Sequence, residues 1–151
     1  MSNAQFRRDF AKVLQRAGAN AENVVRAGGL EILKRLIEKS PVGDPSMWQN
    51  PDMAPEGYVG GRFKNNWNVQ VSDINYDTSA PVDSTGGSAM QRGQGTLTTF
   101  PMGATIFITN SMPYSRRLEF DAWSDQASAG MVRVTAIEYQ NIIKQVAAAI
   151  T

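Results

Sequence analysis

Residues 40–61 hold Pro41, Pro45, Pro51 and Pro55 together with Gly43, Gly57, Gly60 and Gly61. No helix or central strand survives that density of proline and glycine, because proline fixes its own φ and pushes the residue before it toward extended shapes. The segment is therefore a loop, and a stiff one. Trp48 and Tyr58 give it something to bury. It divides the chain into a helical beginning and a mixed remainder.

Before the loop, residues 3–39 predict helix. Phe6, Phe10, Val13, Ala17, Ala21 and Val24 recur at three- and four-residue steps and share one face. Ser2 or Asn3 suits the start. After Gly28-Gly29 the stripe resumes out of phase at Leu30, Leu33, Leu36 and Ile37. Mid-helix glycine costs roughly 1 kcal/mol relative to alanine, so a kink or a joint is expected near Gly18 or Gly28. Lys39 in the last turn and Ser40-Pro41 mark the end.

After the loop, residues 62–72 alternate. Phe63, Trp67, Val69 and Val71 fall to one side and Arg62, Lys64, Asn66, Asn68 and Gln70 to the other, as in a half-buried strand. Residues 73–103 are dominated by Ser, Thr, Gly, Asp and Gln and read as a second long loop, with TLTTF able to pair as part of an extended hairpin. Residues 104–110, ATIFITN, predict a second strand, with Ile106 and Ile108 on one face and Phe107 on the other. Residues 113–123 predict a short helix or turn. From Met131 a last helix carries Val132, Val134, Ile137, Ile142, Ile143, Val146 and Ile150. The chain is 151 residues, one domain's worth of core. The fold class expected is α+β: a small antiparallel sheet packed by a long N-terminal helix and a C-terminal helix, with two long extended loops at 40–61 and 73–103. Two strands bury little by themselves, so the loops or partner subunits are expected to complete the sheet.

Composition narrows the chemistry. The chain has no cysteine and no histidine. Disulfides, Cys/His zinc sites and Ser-His-Asp or Cys-His centres are excluded. Net charge is +1, which gives no overall field toward nucleic acid or membrane. The N-terminus is polar and no run approaches the length of a membrane span, so a soluble protein is expected. The charge is uneven all the same. Residues 1–40 carry eight Lys or Arg against Asp9, Glu22, Glu31 and Glu38, while residues 73–100 carry Asp73, Asp77 and Asp83 against Arg92 alone. A basic helix and an acidic loop suit head-to-tail packing of identical subunits; solvated faces are the plainer explanation.

Other motifs carry less. GYVGGRFK lacks the GK[ST] ending of a phosphate loop and precedes a strand. Asp44, Asp52 and Glu56 match no calcium-loop spacing. Glu119, Asp121 and Glu138 are the carboxylates a hydrolase would need, but ion pairing to Arg116, Arg117 or Arg133 explains them more simply. Arg7-Arg8 and Arg116-Arg117 form no basic stripe with interleaved aromatics. No catalytic residue, cofactor or metal is expected. Trp67 reads as core; Trp48 and Trp123, in non-periodic segments, read as contact residues.

Three stretches taken together carry a resemblance: LKRLIEKSPVG, GYVGGRFKNNWNV, and ATIFITNSMPYSRRLEFDAWSDQASAGMV before the closing helix. The chain resembles the neck or tail-completion proteins of long-tailed bacteriophages. That family has a helix ending in an SPVDTG-like turn, a G-x-L-x-x-[SN]-W opening, an N-x-x-P-Y-x-x-x-L-E-x-G segment and a G-[MV]-V before the last helix. The matching positions are Ser40, Pro41, Val42 and Gly43; Gly61, Arg62, Phe63, Asn66 and Trp67; Asn110, Pro113, Tyr114, Leu118 and Glu119; and Gly130, Met131 and Val132. Residues 44–60 are an insertion relative to the family, and Asp121 stands where the family has glycine. The resemblance implies a non-catalytic structural protein of the virion, assembled in the host cytoplasm into a homo-oligomeric ring at the head–tail junction. Six subunits are favoured by family analogy, with twelve the alternative. Its neighbours would be connector or stopper proteins and tail terminator or tail tube proteins, with passive contact to packaged DNA and none to membrane. Contact residues are expected at Trp48, Tyr58, Arg62, Tyr114, Arg117, Glu119, Phe120 and Trp123. The alternatives are a tail terminator, a connector protein lining the DNA channel, and a carboxylate-dependent hydrolase.

Overall fold

A computed structural model describes residues 3–150, the side chains of Asn3 and Phe6 excepted; the Ser2 or Asn3 cap and the place of Phe6 in the stripe lie outside the described residues. The fold is α+β. In chain order it contains α1 (Asn3–Lys39), α2 (Arg62–Asn65), β1 (Asn68–Val71), α3 (Gly87–Thr98), β2 (Ile106–Thr109), α4 (Ser115–Phe120) and α5 (Val132–Ile150). β1 and β2 form an antiparallel pair, with Val69 opposite Ile108 and Val71 opposite Ile106. Paired residues share a face, so these four make one apolar side of the sheet. Leu33, Leu36 and Ile37 of α1, Ala89 and Leu97 of α3, Phe63, Trp67 and Met131 complete the core around Val69.

Four expectations need correction. First, α1 is uninterrupted from Asn3 to Lys39. The expected break near Gly18 or Gly28 is absent: the helix runs on through Gly18, where nothing packs, and at Gly28 the glycine pair is a packing seam. A methyl group on Gly28 would sit 2.6 Å from Ile143 Cδ1, and one on Gly29 would be 3.4 Å from Ile106 and Leu97. The missing side chains let α5 and the sheet approach, and that burial offsets the propensity cost.

Second, the strand at 62–72 begins six residues late. Arg62–Asn65 is a helical turn, entered through Gly61 at φ 111°. Phe63 and Trp67 are four residues apart, a spacing that suits a helix as well as a strand. In a strand their Cα atoms would be about 13 Å apart; here their rings meet edge to face at 5.9 Å.

Third, residues 73–103 are not one loop. Gly87–Thr98 is a helix of twelve residues, and the β-prone TLTTF ends it. Ala89, Gly93 and Leu97, at strict four-residue steps, are its buried face. Fourth, among the described residues segment 73–103 adds no strand to the two-stranded sheet and covers it with α3 instead. By contrast, residues 40–61 are a loop as expected, tightened by two short 3-10 turns at Pro45–Met47 and Pro51–Met53.

Candidate functional site: an aromatic and arginine surface

The surface is mounted on a frame of hydrogen bonds. The Trp67 indole Nε1 donates to Ser40 Oγ at 2.8 Å, and Ser40 Oγ donates to Leu36 O at 2.6 Å, so the end of α1 is tied to the start of β1 inside the core. Asn110 Nδ2 donates to Phe63 O at 2.8 Å, which fixes the turn after β2 to α2. The Phe63 ring packs against Tyr114 at 5.9 Å.

Glu119 closes the frame. It sits at the end of α4, only 7% exposed. Its Oε2 accepts from the backbone N–H groups of Met131 at 2.8 Å and Val132 at 3.0 Å, and its Oε1 accepts from Arg133 N–H at 2.9 Å. These are the orphan donors of the first turn of α5, and the carboxylate also meets the positive end of the helix dipole. The Arg133 guanidinium adds an ion pair at 3.4 Å and a hydrogen bond to Glu119 O. Burial opposes ionisation of Glu119, but three amides and Arg133 outweigh it and hold the carboxyl below the ordinary carboxylate range. Gly130 must be glycine here: its φ is 79°, and a side chain would strike Glu119.

The asparagines of NNWN have a job the sequence reading missed. It assigned Asn66 and Asn68 to the outward face of a strand. Asn65 and Asn66 are instead fully buried and Asn68 nearly so. Asn65 Nδ2 donates to Pro81 O at 2.7 Å, Asn66 Oδ1 accepts from Ala80 N–H at 3.2 Å, and Asn68 Nδ2 donates to Asp77 O at 2.8 Å. Three side-chain amides thus hold the extended segment 77–81 where a ladder of backbone bonds would otherwise be needed.

On this frame the aromatic residues of two distant segments converge. Trp48 and Tyr58 meet edge to face at 5.0 Å. Gly43 lies under the Tyr58 hydroxyl, where a methyl group would collide with it. Tyr114 packs on Trp123 at 6.0 Å, and the Arg117 guanidinium lies over the Trp123 ring at 5.1 Å. The Tyr114 phenol is pushed up by burial and by the neighbouring Tyr58, with Arg62 opposing. Arg133 covers the Phe120 ring at 5.1 Å. Trp123 is 56% exposed, and Phe120 is similarly open.

Of the eight expected contact residues, Trp48, Tyr58, Arg62, Tyr114, Arg117 and Trp123 form one run of neighbours, and Phe120 stands at its end. Glu119 is turned inward, where its partners belong to its own chain. Phe63 and Arg133 belong to the surface or its footing; the sequence named Phe63 as inward-facing and Arg133 as an ion-pair partner of Glu119, as found, but neither as a contact residue. The signal for Arg133 was its place three residues after Gly130. Chemically this surface sets five aromatic rings beside three guanidinium groups. That is the composition of a protein contact, where Trp, Tyr and Arg are the residues that carry affinity.

The carboxylates serve local roles. Asp44 accepts from Ser46 N–H and Ser46 Oγ, and those bonds lower its pKa. Glu138 bridges Arg35 and Lys39 at 3.1 Å each and clasps α5 to α1; the Lys39 contact first, then Arg35, keeps it ionised. A general acid at neutral pH needs a raised carboxyl pKa; Glu119 and Glu138 are both lowered. Asp121 follows α4 on the exterior, and Asp52 and Glu56 are exposed in the loop. Among the described residues no group of three or more His, Cys, Asp or Glu is placed to hold a metal ion, and no helix is long and apolar enough to cross a membrane. Comparisons with protein-family models, curated proteins and solved structures found no match.

Proposed function

We propose that this protein is a structural subunit of a tailed-phage neck, forming a homo-oligomeric ring at the head–tail junction. One observation carries the reading. The three stretches on which the resemblance rests interlock into a single frame: Ser40 with Trp67, Phe63 with Asn110 and Tyr114, and, within the third, Glu119 with residues 131–133. Here each motif supplies the other's partner, and the inserted segment 44–60 brings Trp48 and Tyr58 to the surface that the frame supports.

The function that follows is assembly rather than catalysis. The aromatic and arginine surface is the contact bet for a neighbouring subunit or an adjacent connector or tail ring. A ring interface is heterologous, so this surface meets a different surface on the next subunit. The test is light scattering after size exclusion, on the protein alone and mixed with connector and tail proteins. A ring-sized mass, or one that appears only with a partner, is expected. Trp123→Ala is expected to lower assembly while leaving the circular dichroism unchanged. A protein that stays monomeric with every virion partner overturns the reading.

A further inference from the structure

The sheet is open on one side. It has two strands, and among the described residues β2 pairs with β1 alone. The register tells which backbone groups that leaves over. In an antiparallel pair, opposed residues alternate between exchanging both hydrogen bonds and exchanging none. Ser72 N–H donates to Thr105 O at 2.8 Å, so Ser72 and Thr105 belong to the bonded set. Counted along the ladder, Phe107 and Thr109 turn their N–H and C=O groups toward β1, while Ile106 and Ile108 turn theirs away from it. Among the described residues no backbone hydrogen bond outside the ladder takes up those outward groups. Strong donors and acceptors of this kind need water or a further strand.

The two strands differ in cover. On β1, Asn68 and Val69 are less than a tenth exposed, and α3 packs on Val69 at Gly93. All four residues of β2 are half-buried. Proteins keep a free edge single with charge, proline, a bulge or short length. β2 is short, but it carries no proline and no bulge, and no charged residue occurs from Gly93 to Ser115. Its residues, Ile106, Phe107, Ile108 and Thr109, are strand formers. What fits such an edge is a second uncharged strand with a free edge of its own. Among the described strands of this chain, β2 is the one that offers it.

We infer that β2 pairs antiparallel with β2 of a second copy of this chain, joining the two sheets into one across a two-fold axis at Phe107. Ile106 of each copy then exchanges both hydrogen bonds with Ile108 of the other, which uses every outward group of the strand. The two Phe107 side chains stand opposite each other in a non-bonded pair, with Cα atoms about 4.5 Å apart, where aromatic residues pack across strands. On the other face the edge borders an apolar groove lined by Ile106, Ile108, Tyr139 and Ile143, so the isoleucines of the second copy meet apolar surface there. A two-fold contact meets itself and has no direction along a ring axis. The seam is therefore separate from the heterologous contact of the neck ring and does not rest on that reading.

The chain has no cysteine, so a single introduced thiol makes the test. Mild oxidation of Phe107→Cys is expected to convert most of the protein to covalent dimers. Thr109→Cys, on the same face, is the control. In this register Thr109 lies opposite Thr105 of the second copy, which leaves the two introduced thiols about 13 Å apart, and the variant is expected to stay unlinked. Phe107→Cys also removes an aromatic pair, so hydrogen exchange on the unaltered protein gives a second readout. The amides of Ile106 and Ile108 are expected to slow roughly tenfold or more as concentration rises into the range where light scattering shows dimers. The amides of Phe107 and Thr109, bonded to β1, are expected to be protected at every concentration. Exchange at Ile106 and Ile108 that ignores concentration overturns the seam, and so does a Thr109→Cys dimer as abundant as that of Phe107→Cys. A ring-sized mass with those two amides unprotected overturns the seam and leaves the neck reading standing. A dimer with both amides protected that joins no virion partner supports the seam and overturns the neck reading.

Discussion

Replacing Glu119 with Gln asks how much one buried carboxylate holds together. The side chain accepts three backbone N–H bonds through two oxygens and pairs with Arg133. Gln keeps one acceptor oxygen and turns an NH2 group toward a backbone donor. At least one hydrogen bond to a charged group is lost, about 1.5–3 kcal/mol. The favourable charge at the start of α5 goes as well, about 0.3–1 kcal/mol. We expect a loss of about 2–3 kcal/mol at pH 7, or a fall in Tm of roughly 5–10 °C for a domain of this size. Urea unfolding followed by tryptophan emission measures it. The pH dependence is the sharper part. Because the folded-state pKa lies below the reference value of 4.5, the carboxylate's contribution is fully present well above that value and disappears as pH falls through the folded pKa. Wild type and Glu119→Gln are therefore expected to converge in acid. A difference that stays constant between pH 7 and pH 3, or one under about 0.5 kcal/mol at pH 7, would refute the capping argument.

Three further changes probe the frame and the core. Ser40→Ala leaves the Trp67 indole N–H buried without its acceptor and is expected to cost about 1–3 kcal/mol in urea unfolding; a neutral result would show that the tie between α1 and β1 is dispensable. Gly93→Ala raises helix propensity by about 1 kcal/mol in the abstract, yet the added methyl would press on Leu33 and Val69. Net destabilisation is therefore expected in thermal melts, and a higher Tm would overturn the packing account of α3. Asn66→Ala removes the contacts to both Arg62 O and Ala80 N–H; limited proteolysis is expected to cut within residues 73–83 sooner than in the parent, and an unchanged digestion pattern would count against the amide clamp.

What could be read in advance follows physical lines. Long periodic stretches were plain: α1 and α5 by their three- and four-residue steps, β2 by the alternation of IFIT. The proline-bounded end of α1 and the loop at 40–61 were plain for the same reason, since local backbone chemistry decides them. α3 was hidden because its sequence, GSAMQRGQGTLT, carries three glycines, a serine and two threonines among twelve residues. Its period appears only once Gly93 is counted as a core residue, and glycine becomes one only where a neighbour such as Leu33 fills its place. Asn66 and Asn68 were read as polar and therefore outward, a rule that fails wherever a buried amide finds backbone partners. Trp48 and Trp123 were named from sequence because tryptophan in a non-periodic segment is a poor core candidate, while the other contact residues came with the resemblance. Glu119 came the same way, and only the three amides at the start of α5 show that it is turned inward.

The seam at Gly28 and Gly29 has a mechanical consequence. A glycine pair in the middle of a long helix is usually where a rod bends, but here both positions are wedged between Ile143 on one side and Ile106 and Leu97 on the other. The fulcrum is therefore clamped. With that joint clamped, α1 acts as a lever of about 55 Å, its outer arm exposed over residues 10–21 and its inner arm embedded. A sideways load on the free end arrives as torque at the embedded end, on Leu33, Leu36 and Ile37, and is transmitted through the Ser40–Trp67 tie to the sheet.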